Sequence, residues 1–172
     1  MAGEKGRLTR ETLTHPEVLL ATGFGVGLVP VAPGTIGSIV ALPVWWWFLA
    51  DLSFSVNCGV LVMLIGLGSW IIDRACRKTG VGDAGAIVLD EFVGVWIALI
   101  AAPKTLIGLA AGFALFRLFD IAKPWPVSWA DREIRGGFGV MLDDVIAGVL
   151  AAFVLWLAVL ALGPETFAWP GV

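Results

Sequence analysis

Apolar and polar positions alternate in long blocks along this chain. Five blocks are apolar for long enough to be read as helices in a low-dielectric setting: Ile36–Ala50, Phe54–Ile72, Ala86–Ala102, Thr105–Ile121 and Val145–Leu162. A spanning helix needs about 20 largely apolar residues, with a range of about 17–25. The second and fifth blocks are clean. The first is short and carries Pro43, the third contains Asp90 and Glu91, and the fourth has Arg117 and Asp120 near its end. The pattern predicts an all-α, polytopic membrane helical bundle of about five spans. Residues 17–34, rich in Gly and Pro, would precede it as an interfacial helix or a re-entrant loop.

Composition agrees with the pattern. The chain has 172 residues, 59% of them hydrophobic and 15% charged, and its mean hydropathy is +0.93. Ordinary soluble domains are about 45–50% apolar and about 25% charged. No linker, repeat or low-complexity stretch divides the sequence. One integral-membrane domain over residues 1–172 is therefore expected, with a polar cytoplasmic tail over residues 1–16. That tail lacks the apolar core and small-residue cleavage site of a signal peptide. Tryptophans at Trp45–Trp47, Trp125, Trp129 and Trp169 fall near the ends of the blocks, as in an interfacial aromatic belt.

The basic residues set an orientation. Lys5, Arg7 and Arg10 precede the first block, and Arg74, Arg77 and Lys78 follow the second. Lys123, Arg132 and Arg135 follow the fourth, and Arg117 lies one turn inside it. With the N-terminus in the cytoplasm and the C-terminus outside, only Lys104 falls on the outer side. This topology uses no acid, yet it brings Asp90, Glu91, Asp120, Asp143 and Asp144 to the cytoplasmic face. Thr35 and Ser38 reach the same face.

Those acids need an explanation. A charged residue at the centre of a spanning helix costs about 2.5–3.5 kcal/mol on insertion scales, and less near the interface. Grouped carboxylates also repel one another. They could pair separately with Arg117, Lys123 and Arg132, or they could share a divalent cation such as Mg²⁺, which takes hard oxygen ligands. Asp131 and Glu133 are expected to be solvated or salt-bridged. Arg117 and Asp120 are three apart and share a helix face, either as an internal ion pair or aimed together at an anion and its metal. In GFGVGLVPVAPGTIGS (residues 23–38) the glycines permit unusual backbone angles, and Thr35 is a candidate N-cap. The stretch reads as a turn or re-entrant connection, as a phosphate cradle that uses helix N–H groups, including that of Gly34, or as both together.

Elimination narrows the chemistry. Net charge is −3, which disfavours nucleic acid, and no feature signals a protein partner. The two cysteines read as ordinary thiols. The single histidine, His15, lies in the polar tail, tyrosine is absent, and neither cysteine has an arginine six positions on. Carboxylate and metal chemistry on a phosphorylated substrate is what remains. A cation transporter would also use intramembrane acids, but it predicts polar groups in the outer half of the bundle.

Four motifs together resemble the phosphatidylglycerophosphatase A family of bacterial inner-membrane lipid phosphatases. They are GFGVGLVPVAPGTIGS, VLDEFVGVWIAL, FRLFDIAKPWPV and GFGVMLDDVIAG, and the similarity runs in order from about residue 17 to residue 150. The resemblance implies Mg²⁺-dependent conversion of phosphatidylglycerophosphate to phosphatidylglycerol and phosphate. It also implies metal-binding and catalytic roles for Asp90, Glu91, Asp120, Asp143 and Asp144. Thr35, Ser38, Arg117, Lys123 and Gly34 would bind the substrate phosphate. Another carboxylate-rich class, the CDP-alcohol transferases, opens its aspartate motif with DG..AR, which this chain lacks.

Overall fold

A computed structural model describes residues 10–80 and 85–167. Lys5, Arg7 and Trp169 lie outside the described residues. Seven α-helices and no strand occur among those described: α1 (Pro16–Ala21), α2 (Pro33–Val44), α3 (Phe54–Thr79), α4 (Leu89–Leu99), α5 (Leu106–Ala122), α6 (Val127–Glu133) and α7 (Gly136–Leu162). Cys58 and Cys76 form no disulfide.

Two helices, α3 and α7, are long and apolar enough to cross a membrane. Only 33% and 22% of their apolar windows are buried within the protein. Core helices of a soluble domain would be mostly covered, whereas here Val62, Met63 and Leu67 of α3 and Phe153, Trp156 and Leu160 of α7 point outward. Exposed apolar side chains grouped in this way suit contact with lipid or with a partner surface.

The helix bounds differ from the apolar blocks, and α3 runs past Ile72 to Thr79. Helix α7 starts at Gly136, so Asp143 and Asp144 lie two turns inside it rather than at its beginning. Helix α4 covers 11 residues, about 17 Å at 1.5 Å per residue. Its first turn is delayed because the Val88 N–H bonds the Ala21 carbonyl at 2.9 Å, which holds residues 86–88 out of the helix. Helix α2 begins at Pro33 with Ala32 as its cap, so Thr35 is its third residue and not the N-cap. Pro43 is carried within α2, which then widens into a single π-helical turn over Trp45–Leu49. Pro124 and Pro126 follow the end of α5, where the helix stops as expected.

Consecutive long segments run in opposite directions. The start of α2, the end of α3, the start of α4, the end of α5 and the first third of α7 meet at one end. There Gly34 touches Glu91, Arg117 touches Ser38, and Gly137 lies against Ser69 and Asp73. At the other end an Asp51–Lys104 ion pair ties the α2–α3 connection to the α4–α5 connection. Helix α4 runs through the middle: every residue from Val93 to Leu99 is buried. It crosses α7 at Gly94 and Gly148, where a Cβ on Gly94 would lie 2.9 Å from the Asp144 carbonyl oxygen. Small residues at a crossing let two backbones approach closely. Trp96 fastens α4 to α2, its Nε1 donating to the Ala41 carbonyl at 2.9 Å.

The glycine-rich stretch before α2 has a packing role. Its chain turns through left-handed angles at Gly23, Phe24 and Gly25. Gly27 then lies so close to the Ala86 carbonyl that a Cβ would overlap it. The segment is a turn seated on residues 86–88, and in that way it positions the first turn of α4.

Candidate active site

Asp90 and Glu91 occupy the first turn of α4, where the helix dipole favours negative charge. Asp144 reaches them from α7. One carboxylate oxygen from each of the three lies within 4.8 Å of the others. Asp90 and Asp144 are only 8% and 3% exposed. Asp90 Oδ1 and Glu91 Oε2 are buried with no hydrogen-bond partner among the described residues. Buried acceptors left unpaired are destabilising, and buried charges are normally paired or coordinate a metal. Three converging carboxylates with orphaned oxygens fit a hard divalent cation, for which oxygen donors are the preferred set.

The other two acids are partnered. Lys123 Nζ donates to Asp143 Oδ2 at 2.9 Å and also bonds Asp131. Burial disfavours a charge on Lys123, but the hydrogen bonds to Asp131 and Asp143 outweigh it and raise the lysine pKa above its ordinary value. Arg117 Nη1 pairs with Asp120 Oδ2 at 2.6 Å, and Asp120 is within reach of Asp144. The five acids thus divide into a group of three and two ion-paired neighbours that join it to cations.

The start of α2 closes this end of the bundle. Ser38 is fully buried and its Oγ donates to the Gly34 carbonyl at 2.8 Å. The same oxygen accepts from Arg117 Nη1 at 3.5 Å, while Arg117 Nε has no partner among the described residues. A Cβ on Gly34 would overlap Glu91 Oε1 and lie 3.4 Å from Arg117 Nη1. Glycine at this position lets the Glu91 carboxylate lie against the helix backbone. Thr35 follows on the same turn.

A cavity of about 410 Å³ opens beside the cluster, lined by Asp90, Glu91, Lys123, Asp131, Arg135 and Asp143 among others. The sequence marks Asp131 only as solvated or salt-bridged, and the structure places it on the cavity wall, paired with Lys123. Arg135 stands out in the sequence only as a topogenic charge. Neither is recognisable as a site residue from the sequence, because α6 and the turn after it fold these residues back over the site, and no periodicity announces α6.

The arrangement can neutralise an anionic ligand from two sides. Cations from α5 and the turn after it face carboxylates from α4 and α7, with backbone and hydroxyl groups of α2 alongside. That combination suits a phosphoryl group held with a metal ion.

The sequence model described as Phosphatidylglycerophosphatase A matches residues 19–159. The Escherichia coli K12 protein named Phosphatidylglycerophosphatase A is 42% identical over 149 residues, 86% of this chain and 86% of that protein. The Haemophilus influenzae protein of the same name is 40% identical over 154 residues, 89% of this chain and 94% of that one. A Bacteroides thetaiotaomicron protein, named provisionally as a phosphatidylinositol-3-phosphatase, is 38% identical over 148 residues, 82% of this chain and 92% of that one. No solved structure matches the chain. The family match takes in the three clustered carboxylates, both ion-paired neighbours and the start of α2, and the chain belongs to the phosphatidylglycerophosphatase A family.

Proposed function

We propose that this protein hydrolyses the terminal phosphomonoester of phosphatidylglycerophosphate, releasing phosphatidylglycerol and inorganic phosphate. The observation that carries this reading is the Asp90–Glu91–Asp144 cluster with its unpartnered oxygens, beside a cavity that also holds Lys123. Family membership supplies the substrate: two relatives at 40–42% identity bear the name of this activity.

Asp90, Glu91 and Asp144 would hold Mg²⁺, which when bound offsets phosphate charge and lowers the pKa of a bound water. The remaining steps belong to the chain's own groups. Arg117 and Lys123 orient and neutralise non-bridging phosphate oxygens. The free N–H groups at the start of α2, those of Gly34 and Thr35, complete the cradle, and Ser38 steadies it by bonding the Gly34 carbonyl and accepting from Arg117. Asp143, on the cavity wall, accepts the proton of the attacking water. The new P–O bond forms in line as the ester P–O bond breaks, and the departing glycerol oxygen takes up a proton. Attack by an aspartate itself would leave a phospho-enzyme that rapid quench would trap.

The same reading covers the whole molecule as one membrane domain over residues 1–172, with residues 1–16 as a cytoplasmic tail. The five alternating segments, α2 to α5 and α7, each pass through the bilayer, N-terminus in and C-terminus out. The short α4 is sheltered by its neighbours and need not itself match the lipid thickness. The site then opens at the cytoplasmic face, with Arg74, Arg77, Lys78 and Arg132 around it. A cation pathway is not favoured. Among the described residues, the buried acids Asp90, Asp143 and Asp144 all lie at this one end.

The deciding assay is phosphate release from phosphatidylglycerophosphate by purified protein in detergent, with and without Mg²⁺, beside phosphatidylinositol 3-phosphate. Release that depends on Mg²⁺ and favours phosphatidylglycerophosphate is expected. Folded protein that releases no phosphate in the presence of Mg²⁺ defeats the proposal.

A further inference from the structure

Two cations line the cavity, and they differ in their engagement. Lys123 is held by Asp143 and Asp131. Arg135 has no carboxylate partner among the described residues, and its side chain is exposed on the wall shared with Asp90 and Glu91. It sits immediately ahead of α7 in extended conformation, and Gly136 at φ 78° turns the chain into the helix behind it. The cavity therefore offers carboxylates, where a metal and a phosphomonoester fit, and on the same wall a guanidinium at Arg135 with no carboxylate partner among the described residues.

A substrate that fills both must carry two anionic groups. Phosphatidylglycerophosphate does: a terminal monoester, and a diester that joins its glycerol to diacylglycerol. The diester keeps one negative charge at any physiological pH and presents two non-bridging oxygens. A guanidinium matches that geometry with parallel N–H donors. We propose that Arg135 binds the phosphodiester of the lipid head group while the monoester occupies the Asp90–Glu91–Asp144 end. Arg135 would then select lipids with two phosphates in series over simple phosphomonoesters. The inference rests on the substrate proposed above.

The test uses full-length protein in mixed micelles of phosphatidylglycerophosphate. R135A and R135Q are expected to raise KM about tenfold, the loss of one charge-assisted contact, with kcat within about twofold of wild type. R135K, which keeps the charge but not the fork, is expected to fall between. Inhibition by phosphatidylglycerol, which has only the diester, weakens in parallel, whereas inhibition by orthophosphate does not change. The Arg135 side chain is exposed, so the variants should keep the wild-type elution volume and Tm. An unchanged KM in R135A, or inhibition by orthophosphate that weakens as much as that by phosphatidylglycerol, overturns the assignment. Wild-type turnover separates the two ideas. No release from phosphatidylglycerophosphate defeats the substrate reading together with this inference, whereas release with unaltered KM in R135A defeats the Arg135 assignment alone.

Discussion

Lys123 donates to Asp143 at 2.9 Å from a backbone held at φ 43°, the left-handed region that side chains other than glycine seldom adopt. Left-handed conformations at non-glycine residues cost about 1–2 kcal/mol and tend to persist where surrounding contacts enforce them. Here the Lys123 N–H caps α5 on the Phe119 carbonyl at 2.9 Å, and the ion pairs to Asp143 and Asp131 hold the ammonium at the cavity.

Backbone and side-chain roles at Lys123 can be separated. Lys123→Gly and Lys123→Ala both remove the ammonium, and each is expected to lower kcat about a hundredfold, as for loss of a single charge-stabilising donor. Only glycine relaxes the backbone, so the glycine variant should exceed the alanine variant by about 1 kcal/mol in stability. Thermal melts and phosphate release on the two variants measure both effects. Equal melting temperatures would show that φ at this position stores nothing.

The sorting of the acids makes a prediction about metal. Adding Mg²⁺ to chelator-treated protein should raise Tm, because a ligand bound only by the folded state stabilises it, by about 2.7 kcal/mol at a hundred times Kd. Asp90→Asn and Asp144→Asn should lose that increase and activity together. Asp143→Asn, whose carboxylate is held by Lys123, should keep the increase while losing turnover. In chelator, Asp90→Asn should be at least as stable as wild type, since one of three crowded carboxylates is gone. A Mg²⁺ response that survives in Asp90→Asn would remove the three-acid cluster as the metal site.

Much of this site is legible in the amino-acid pattern. Hydropathy and the Lys/Arg distribution alone assign Asp90, Glu91, Asp120, Asp143 and Asp144 to one side, and they do gather at one end of the bundle. Which acid meets which cation is not legible. Adjacent residues on a helix diverge by about 100°, so Asp143 and Asp144 face different neighbours, and only packing sets the rotation of α7. The Arg117–Asp120 pair is legible because i,i+3 spacing fixes it locally. The delayed start of α4 is not, since it depends on the Val88–Ala21 hydrogen bond between segments 67 positions apart in sequence.

Close approach at Gly34 gives a second mutational contrast. Gly34→Ala places a methyl group against Glu91 Oε1 and should lower activity about tenfold or more by displacing that carboxylate, because small misplacements of reacting groups are costly. Gly59→Ala in α3 meets nothing within 4 Å and should leave activity intact, while stabilising the helix by up to about 1 kcal/mol. Equal activity in both variants would mean that Glu91 does not need its place beside α2.

The alternating direction of the five segments predicts which residues can be reached from which side. Asp51 and Arg132 are exposed and lie at opposite ends of the bundle: Asp51 in the α2–α3 connection, Arg132 on α6 beside the site. In a background with Cys58 and Cys76 replaced by serine, Arg132→Cys should react with a membrane-impermeant maleimide only in inside-out vesicles. Asp51→Cys should react only in intact spheroplasts. Activity retained by both variants would show that the labelled protein is native. Labelling of both positions from one side would rule out an odd number of crossings between them and end the five-pass reading. Labelling from opposite but exchanged sides would keep five passes and reverse the orientation. The Asp90–Glu91–Asp144 cluster would then lie at the outer face, and the cytoplasmic placement of the site would fall while the five crossings stand.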